Sequence, residues 1–178
     1  MWREICDFWF LQIDPNQWRV KDDAFDRLLG ERFGALQQQA AAGELYAWRQ
    51  TPQGRLAEII VLDQLSRNIH RNTPLAFAQD AMALALAQEA VAAGHLREFN
   101  ARERIFLLMP YMHSESRLIH VQAEQLFREH TPAENYGFEL RHKVVVDRFG
   151  RYPHRNAILG RLSTAEELVF LQQPGSSF

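Results

Sequence analysis

Two charged residues interrupt an apolar helical pattern near the middle of the chain. Asp63 and Arg67 lie four residues apart within the apolar stripe of a helix that begins after Pro52, with the acid first. Because a buried charge is costly unless it is paired and hydrogen-bonded, we expect both side chains to be mostly buried, with partners nearby. One interpretation is that Asp63, with Gln64 and Asn68 alongside, orients Arg67 towards a ligand. The alternative is an internal ion pair that only links helices.

The segment of residues 142–161 is basic, although the whole chain has a formal net charge of −2. Guanidinium groups bind a carboxylate or a phosphate in bidentate fashion, so this segment is a candidate anion-binding element. Its central loop is predicted to start at Gly150 and to be stiffened by Pro153. The candidate residues are Arg148, Arg151, Arg155 and Asn156 for binding and His154 for proton transfer. The alternative is a solvated turn whose arginines interact with helix C-terminal carbonyl groups.

A histidine, a serine and a glutamate follow Pro110, which we expect to kink or end a buried helix. His113 has the chemistry of a general acid or base near neutral pH. Ser114 is predicted to cap the next helix, and Glu115 to lie in its first turn, where the helix dipole favours an acid. The alternative is that His113 is a hydrogen-bonded structural residue at a helix junction.

Helix signals run along the whole chain, and no Asn-Gly or Asp-Gly hairpin turn lies between alternating strands. The pattern predicts an all-α fold of about eight or nine helices, arranged as antiparallel pairs joined by short turns. One helix is predicted over residues 22–42 and is stopped by Gly43, and an alanine-rich helix is predicted to begin with a cap at Thr73 and Pro74 and to end at Gly94. A capping box at Thr131–Glu134 is predicted to open a helix that Gly150 closes, and overlapping capping boxes at Ser163–Glu167 are predicted to open the last helix.

Composition narrows the classes of function. With 178 residues, 47% hydrophobic and 24% charged, the chain is predicted to form one globular domain, residues 1–178. The small negative charge argues against nucleic-acid and membrane-surface binding. A single cysteine, Cys6, and a start unlike a signal peptide predict a cytoplasmic protein. No nucleotide-binding, serine-hydrolase or zinc-protease motif is found, and the spacing of histidines and acids supports no metal site and no cofactor.

Five stretches of the chain together form a family pattern. They are Asp7–Phe10, the run IIVLDQLSRNIHR from Ile59, Thr73 through Phe77 to Asp80, MPYMHSE from Met109, and RFGRYPHRN with the LGRLSTAEE that follows. In this order they cover most of the chain, and they resemble the bacterial DUF924 family of helical proteins of unknown function. The resemblance implies a tetratricopeptide-like helical array without consensus repeats. It implies no reaction and no catalytic residue.

The polar groups combine into one hypothesis, a buried pocket for a small anionic ligand, either a carboxylate or a phosphate ester. The ligand-binding candidates are Gln64, Arg67, Asn68, Ser114, Arg148, Arg151, Arg155 and Asn156, whose net positive charge favours an anion. Hydrolysis is the least specific reaction, with His113 or His154 transferring the proton and arginines stabilising negative charge. Asp63 and Glu115 are the other catalytic candidates. The alternatives are a non-catalytic scaffold that binds an acidic peptide, and a closed structural network without a ligand.

Overall fold

Helices make up most of the part of the chain that the structure describes. The computed structural model describes residues 1–18 and 20–177, and no β-strand lies within these ranges, which confirms the all-α prediction. The α-helices are α1 (Trp2–Asp7), α2 (Asp23–Ala41), α3 (Pro52–Ile60), α4 (Ser66–Ile69), α5 (Asp80–Ala92), α6 (Ala101–Met112), α7 (Arg117–His130), α8 (Ala133–Phe149) and α9 (Ala165–Leu171). Two π-helical segments, Phe8–Gln12 and Val61–Leu65, extend helices, and 3₁₀ turns lie at Pro15–Trp18, Tyr46–Gln50, Pro74–Ala76, His95–Glu98 and Pro153–Arg155. Of the helices in the described ranges, none is both long and apolar enough to cross a membrane.

Helix α3 and its π-helical continuation lie at the centre of the core. The Thr51 side chain caps α3 by accepting a hydrogen bond from the Gly54 amide at 3.1 Å, and Pro52 takes the first helical position. All residues from 56 to 66 are buried, as expected for a helix that is apolar on both sides. Helix α3 packs against α1, α5 and α6, and the π-helical segment packs against α2.

Consecutive helices in the C-terminal half pack against each other, α5 with α6, α6 with α7, and α7 with α8. This is the arrangement that short connections predict. The tetratricopeptide-like arrangement itself stays a prediction. The connection between α6 and α7 is short, residues 113–116, and it holds the histidine, serine and glutamate singled out above.

Three predicted helix ends are confirmed. The Asp22 side chain caps α2 by accepting hydrogen bonds from the amides of its second and third residues. Gly150 closes α8 with φ of 70°, a left-handed conformation that glycine adopts without a steric penalty. Thr164 and Glu167 form a reciprocal capping box at the start of α9.

Two predicted caps are wrong, because other contacts compete for the same residues. Thr73 caps no helix, since Pro74 opens a single 3₁₀ turn and α5 begins only at Asp80. The Thr131 hydroxyl donates to the Phe127 carbonyl at 2.7 Å and so serves the end of α7 instead of the start of α8. The later start of α5 makes Asp80 the first residue of that helix.

The prolyl and seryl predictions at the α6–α7 junction also need correction. Pro110 does not end α6, which continues to Met112, since proline removes one donor but leaves the following amides able to bond, and a kink at this residue stays a prediction. Ser116, not Ser114, caps α7, with its side chain accepting from the Ile119 amide at 3.5 Å. The Ser114 hydroxyl instead accepts from the Ser116 amide at 3.2 Å.

Candidate functional site

Four separate parts of the chain meet around Asp63. They are the π-helical segment Val61–Leu65, the start of α5, the end of α6 and the 3₁₀ turn Pro153–Arg155. Asp63 lies in the middle of the π-helical segment, a wider helical turn of the kind that frequently occurs at functional sites. Its side chain is 1% exposed, so its charge requires partners inside the protein.

Three side chains hold the Asp63 carboxylate. Oδ1 accepts a hydrogen bond from His113 Nδ1 at 2.7 Å and lies 3.0 Å from the Arg67 guanidinium, while Oδ2 accepts from the Gln64 amide. Burial raises the pKa of Asp63, but the charges and hydrogen bonds of these neighbours outweigh burial and hold the pKa well below its ordinary value. Asp63 is therefore ionised, and the predicted contact between Asp63 and Arg67 is present.

His113 is a neutral imidazole in the wall of a cleft. Burial and then the Arg67 guanidinium lower its pKa, and the adjacent Asp63 does not reverse this shift. Because Asp63 is ionised, the ring proton belongs on Nδ1, which donates it to the carboxylate and leaves the lone pair on Nε2. In the described part of the chain, Nε2 of His113 has no hydrogen-bond partner. The ring can therefore accept a proton from a molecule in the cleft.

Asp80, the first residue of α5, joins two arginines. Its carboxylate accepts a bidentate pair of hydrogen bonds from Arg67, at 2.9 and 3.0 Å, and a third from Arg155 Nη1 at 3.1 Å. Sequence reasoning missed Asp80, because a helix that starts at Pro74 would place it in the helix interior. The signal that points to it is its position as the acid that ends one of the family-like stretches.

Arg155 is almost fully buried and lies directly beside His113. Its Nη2 donates to the His113 carbonyl at 3.0 Å, and its guanidinium carbon lies 4.6 Å from the ring centroids of both Phe77 and Tyr152. Burial and then the charge of Arg67 lower the pKa of Arg155, which nevertheless remains charged. Its Nε is buried and has no hydrogen-bond partner among the described residues. Arg155 thus places a positive charge at the cleft.

The cleft has a volume of about 370 Å³, within the range of small-molecule sites. Its lining is partly apolar and partly polar. The apolar lining is Pro74, Phe77, Ala78, Ala81, Leu84 and Leu159, and the polar lining is Asp80, His113, Ser114, Glu115 and Arg155. The cleft therefore offers both an apolar surface and a proton acceptor to a small ligand.

Comparison with known proteins decides the family. The family model described as "Bacterial protein of unknown function (DUF924)" matches residues 5–175. This chain belongs to the DUF924 family. A solved structure, that of ATU0120, a protein of unknown function from Agrobacterium tumefaciens, is similar to it with a TM-score of 0.91 and 34% sequence identity over 96% of both chains. No curated protein matches the chain.

In this DUF924 protein, several predicted site residues lie away from the cleft. Asn68 donates to Asp26 at 2.8 Å, next to the Arg71 side chain that forms an ion pair with the same carboxylate. These residues line a second cleft of about 420 Å³ on α2 and α4. The prediction that Asn68 lies beside Arg67 in one pocket is therefore wrong, because Asp26 holds its amide on another face of the helix.

The predicted convergence of the arginines is also wrong for two of them. Arg148 pairs with Glu166 at 2.7 Å, and both side chains are exposed. Arg151 forms a bidentate pair with Glu167 at 2.6 and 2.7 Å, because the capping-box acid of α9 lies within reach of it. Both guanidinium groups thus attach α9 to the end of α8 and do not reach the cleft.

Glu115 lines the cleft but is already engaged. Its carboxylate forms a bidentate pair with Arg161 at 2.6 and 2.8 Å and accepts a hydrogen bond from the Tyr152 amide at 2.7 Å. Burial raises the pKa of Glu115, but these partners outweigh burial and lower it overall. Glu115 is not a first-turn residue of α7, since it precedes the Ser116 cap. Through Arg161 and the Tyr152 amide, Glu115 links the α6–α7 junction to the segment that follows α8.

The two other predicted residues of this segment also have separate environments. Asn156 is fully buried and donates to the Ser163 hydroxyl at 3.0 Å. His154 lies with its ring centroid 5.6 Å from that of Tyr152 and does not line the cleft. Burial and then Arg155 lower the pKa of His154 to about 4, so it is neutral near pH 7. The structure therefore does not bring His154 and Asn156 into the cleft lining with Arg155.

The charges around the cleft balance. Three carboxylates, Asp63, Asp80 and Glu115, face three guanidinium groups, Arg67, Arg155 and Arg161. The expected net positive charge is therefore wrong, because Arg148 and Arg151 pair with Glu166 and Glu167 away from the cleft. In the described ranges, no group of three or more His, Cys, Asp or Glu side chains is placed to hold a metal ion. Burial raises the pKa of the Cys6 thiol to about 12, so Cys6 is not a thiolate nucleophile.

Proposed function

We propose that this DUF924 protein hydrolyses a small carboxylic ester in the cleft, with His113 as the general base. The observation that carries this proposal is the 2.7 Å hydrogen bond from His113 Nδ1 to the buried, ionised Asp63. That bond selects the tautomer in which Nε2 accepts a proton, and it orients the ring in the cleft wall. An acid that orients a histidine base in this way recurs in acyl-transfer enzymes of unrelated folds.

The proposed reaction uses water as the nucleophile. Nε2 of His113 accepts a proton from a water molecule while the water oxygen bonds to the ester carbonyl carbon. The tetrahedral intermediate then loses the alkoxy group, and the imidazolium returns its proton to that leaving oxygen. The products are a carboxylic acid and an alcohol. Asp63 stays ionised and stabilises the imidazolium, and Arg155 stabilises the negative charge that develops on the carbonyl oxygen.

The charge balance of the site limits the substrate. Because each guanidinium group around the cleft is paired with a carboxylate, the site has no net positive charge to offset a phosphate dianion. We therefore favour the carboxylic ester over the phosphate ester, with at most one negative charge on the molecule. The wall formed by Phe77, Leu84 and Leu159 suits an apolar acyl or alkyl group.

The test is hydrolysis of p-nitrophenyl butyrate by the full chain, with p-nitrophenyl phosphate as the comparison substrate. We expect saturable turnover of the butyrate ester and a loss of about a hundredfold or more in His113→Gln. The matched control is His130→Gln, since His130 lies at the end of α7, where it pairs only loosely with Glu129 at 3.9 Å. The control should keep the wild-type rate.

The pH dependence and the ligand assay separate the alternatives. Turnover should increase with pH as His113 loses its proton and then level off. Turnover that survives in His113→Gln contradicts the role of His113. Saturable binding of butyrate or of an acidic peptide without any turnover contradicts hydrolysis and favours the non-catalytic scaffold.

A further inference from the structure

The C-terminal end of α6 is fixed by buried side chains from other parts of the chain. Three consecutive carbonyl groups, those of Met112, His113 and Ser114, accept hydrogen bonds from Tyr152 Oη at 2.5 Å, Arg155 Nη2 at 3.0 Å and His120 Nε2 at 2.9 Å, respectively. Carbonyl groups at the C-terminal end of a helix lack hydrogen-bond partners within the helix, so water or other groups must donate to them. Here they are bonded to the protein itself, at the residue proposed as the general base and at its two neighbours.

Behind this helix end lies a second histidine–carboxylate pair. His120 and Glu139 both have side chains with no exposure, and Nδ1 of His120 lies 2.7 Å from Oε1 of Glu139. The Ser114 carbonyl can only accept a hydrogen bond, so Nε2 of His120 must carry a proton. In a neutral imidazole, Nδ1 is then an acceptor, and the hydrogen between Nδ1 and Oε1 must belong to Glu139.

The surroundings of Glu139 agree with a protonated carboxyl group. Its Oε2 is buried and has no hydrogen-bond partner among the described residues, which would be costly for a carboxylate. No guanidinium group pairs with it in the described ranges, and burial raises its pKa. The other titratable groups near the pair are Lys143, Glu124, His142 and Tyr152. Lys143 is already paired with Asp147 at 2.5 Å, and burial lowers the pKa of His142 to about 3.

We infer that Glu139, His120 and Tyr152 are positioning residues that act together as a buried clamp on the α6–α7 junction and so hold the His113 ring against Asp63. In this clamp the protonated Glu139 donates to Nδ1 of His120, whose Nε2 donates to the Ser114 carbonyl, while the Tyr152 hydroxyl donates to the Met112 carbonyl. The inference rests on the proposed function only for the reactive role of His113.

The first experiment reads the protons directly in the full chain. Nitrogen-detected NMR of the histidine rings should show His120 with a proton on Nε2 and an unprotonated Nδ1, and infrared difference spectra against Glu139→Gln should contain the carbonyl band of a protonated carboxyl group. A proton on both ring nitrogens, with no such band, would overturn the assignment, since it would make Glu139 a carboxylate.

The second experiment compares two substitutions at the same position. In Glu139→Gln the amide donates to Nδ1 of His120 as the protonated acid does, so the titration curve of His113 should stay within about 0.2 pH units of wild type. Glu139→Met removes the donor. The junction should then loosen and admit water to the His113 ring, raising its pKa towards the ordinary value by about half a unit or more.

Tyr152→Phe keeps the ring and removes the hydroxyl, which bonds to the Met112 carbonyl and lies 3.1 Å from Nε2 of His120. We expect the same upward shift of the His113 pKa, and a decrease in ester turnover that follows this shift in the pH profile. Equal His113 titration curves in wild type, Glu139→Met and Tyr152→Phe would overturn the clamp. If these curves shift while no variant, and not even wild type, hydrolyses an ester, the clamp stands and the hydrolytic proposal fails.

Discussion

The two histidine–carboxylate pairs of this protein share one contact distance and differ in what surrounds them. In both pairs Nδ1 lies 2.7 Å from a carboxylate oxygen. Asp63 also pairs with Arg67, and its pKa is lowered, whereas Glu139 has no guanidinium partner in the described ranges, and burial raises its pKa. The distance between acid and imidazole therefore does not decide which of them holds the proton. The third charged partner decides it.

The two histidines also differ in the hydrogen bonding of their second ring nitrogen, Nε2. Nε2 of His120 donates to the Ser114 carbonyl inside the protein, while Nε2 of His113, a residue of the cleft lining, has no hydrogen-bond partner among the described residues. A histidine with both nitrogens bonded internally holds structure, and one with a single bonded nitrogen can exchange a proton with a ligand. The protein thus uses the same pair of residue types once as a base and once as a clamp.

The largest expected effect is on stability, and it tests whether the Asp63 pair depends on charge. Asp63→Ala should reduce the free energy of unfolding by about 3 kcal/mol, because it leaves the partly buried Arg67 with one carboxylate instead of two and His113 without an acceptor. Urea melts measure this change. The matched control Asp147→Ala removes an exposed acid from a surface pair and should cost about 0.5 kcal/mol or less. A loss this small in Asp63→Ala would show that the buried charge is not needed.

The next effect compares the same chemical change at both pairs. Asp63→Asn should reduce ester turnover about a hundredfold, because the new amide donates to Nδ1 of His113 and moves the ring proton to Nε2, where the base must be free. Glu139→Gln should leave turnover within about twofold, because there the amide replaces a donor. Steady-state rates and the ring tautomers measured by NMR check both. Equal losses in the two variants would contradict the opposite proton positions.

Most of the fold follows from local sequence signals, and its errors have local causes. The caps at Asp22 and Thr164 and the stop at Gly150 depend on short-range hydrogen bonds and glycine conformation, which the sequence displays directly. Thr73 and Thr131 carry the same signals and cap nothing that follows them, because a short 3₁₀ turn and a preceding carbonyl take their place. A cap signal shows that a bond can form, not which competing bond is made.

Only those site residues that share one helix face could be predicted from the sequence. Asp63 and Arg67 were recognisable because both lie in an apolar stripe of a single helix. Their partners Asp80 and Arg155 come from distant elements, and nothing in the spacing tells which arginine meets which acid. Arg151 shows the difficulty, since its residue type and segment match those of Arg155, and yet Glu167 engages it elsewhere.

The pH dependence of stability should have opposite signs at the two pairs. Because the pKa of Asp63 is lowered, its ionised form stabilises the folded protein above the ordinary carboxyl pKa, and this stabilisation is lost in acid. The free energy of unfolding of Asp63→Asn should therefore decrease relative to wild type by about 1 kcal/mol or more as pH rises from about 2 to 5. Because the pKa of Glu139 is raised, its protonated form stabilises the folded protein in acid, and this stabilisation is lost as pH rises through that pKa. Glu139→Gln should therefore gain on wild type as pH rises from about 4 to 8.

Urea melts across this pH range, each variant against wild type, measure the two slopes. Because each acid contacts a histidine ring, the titration curves of His113 and His120 are recorded by NMR in each variant alongside the melts. If both variants fell behind wild type as pH rises, both acids would be ionised in the folded protein, and the contrast between the pairs would be lost.

The smallest expected effect tests whether Lys143 does for Glu139 what Arg67 does for Asp63. Lys143 is a cation on α8 whose charge acts on Glu139, but its ammonium group pairs with the half-exposed Asp147. Water screens such a charge, so Lys143→Gln should change the free energy of unfolding by about 0.5 kcal/mol or less. It should also leave the His120 ring proton on Nε2. Arg67→Gln, the matched change at the other pair, removes a partly buried guanidinium from two carboxylates and should shift the Asp63 pKa upwards. If Lys143→Gln instead moved the His120 proton, solvent-exposed charge would control the buried pair, and guanidinium contact would not be what separates the base from the clamp.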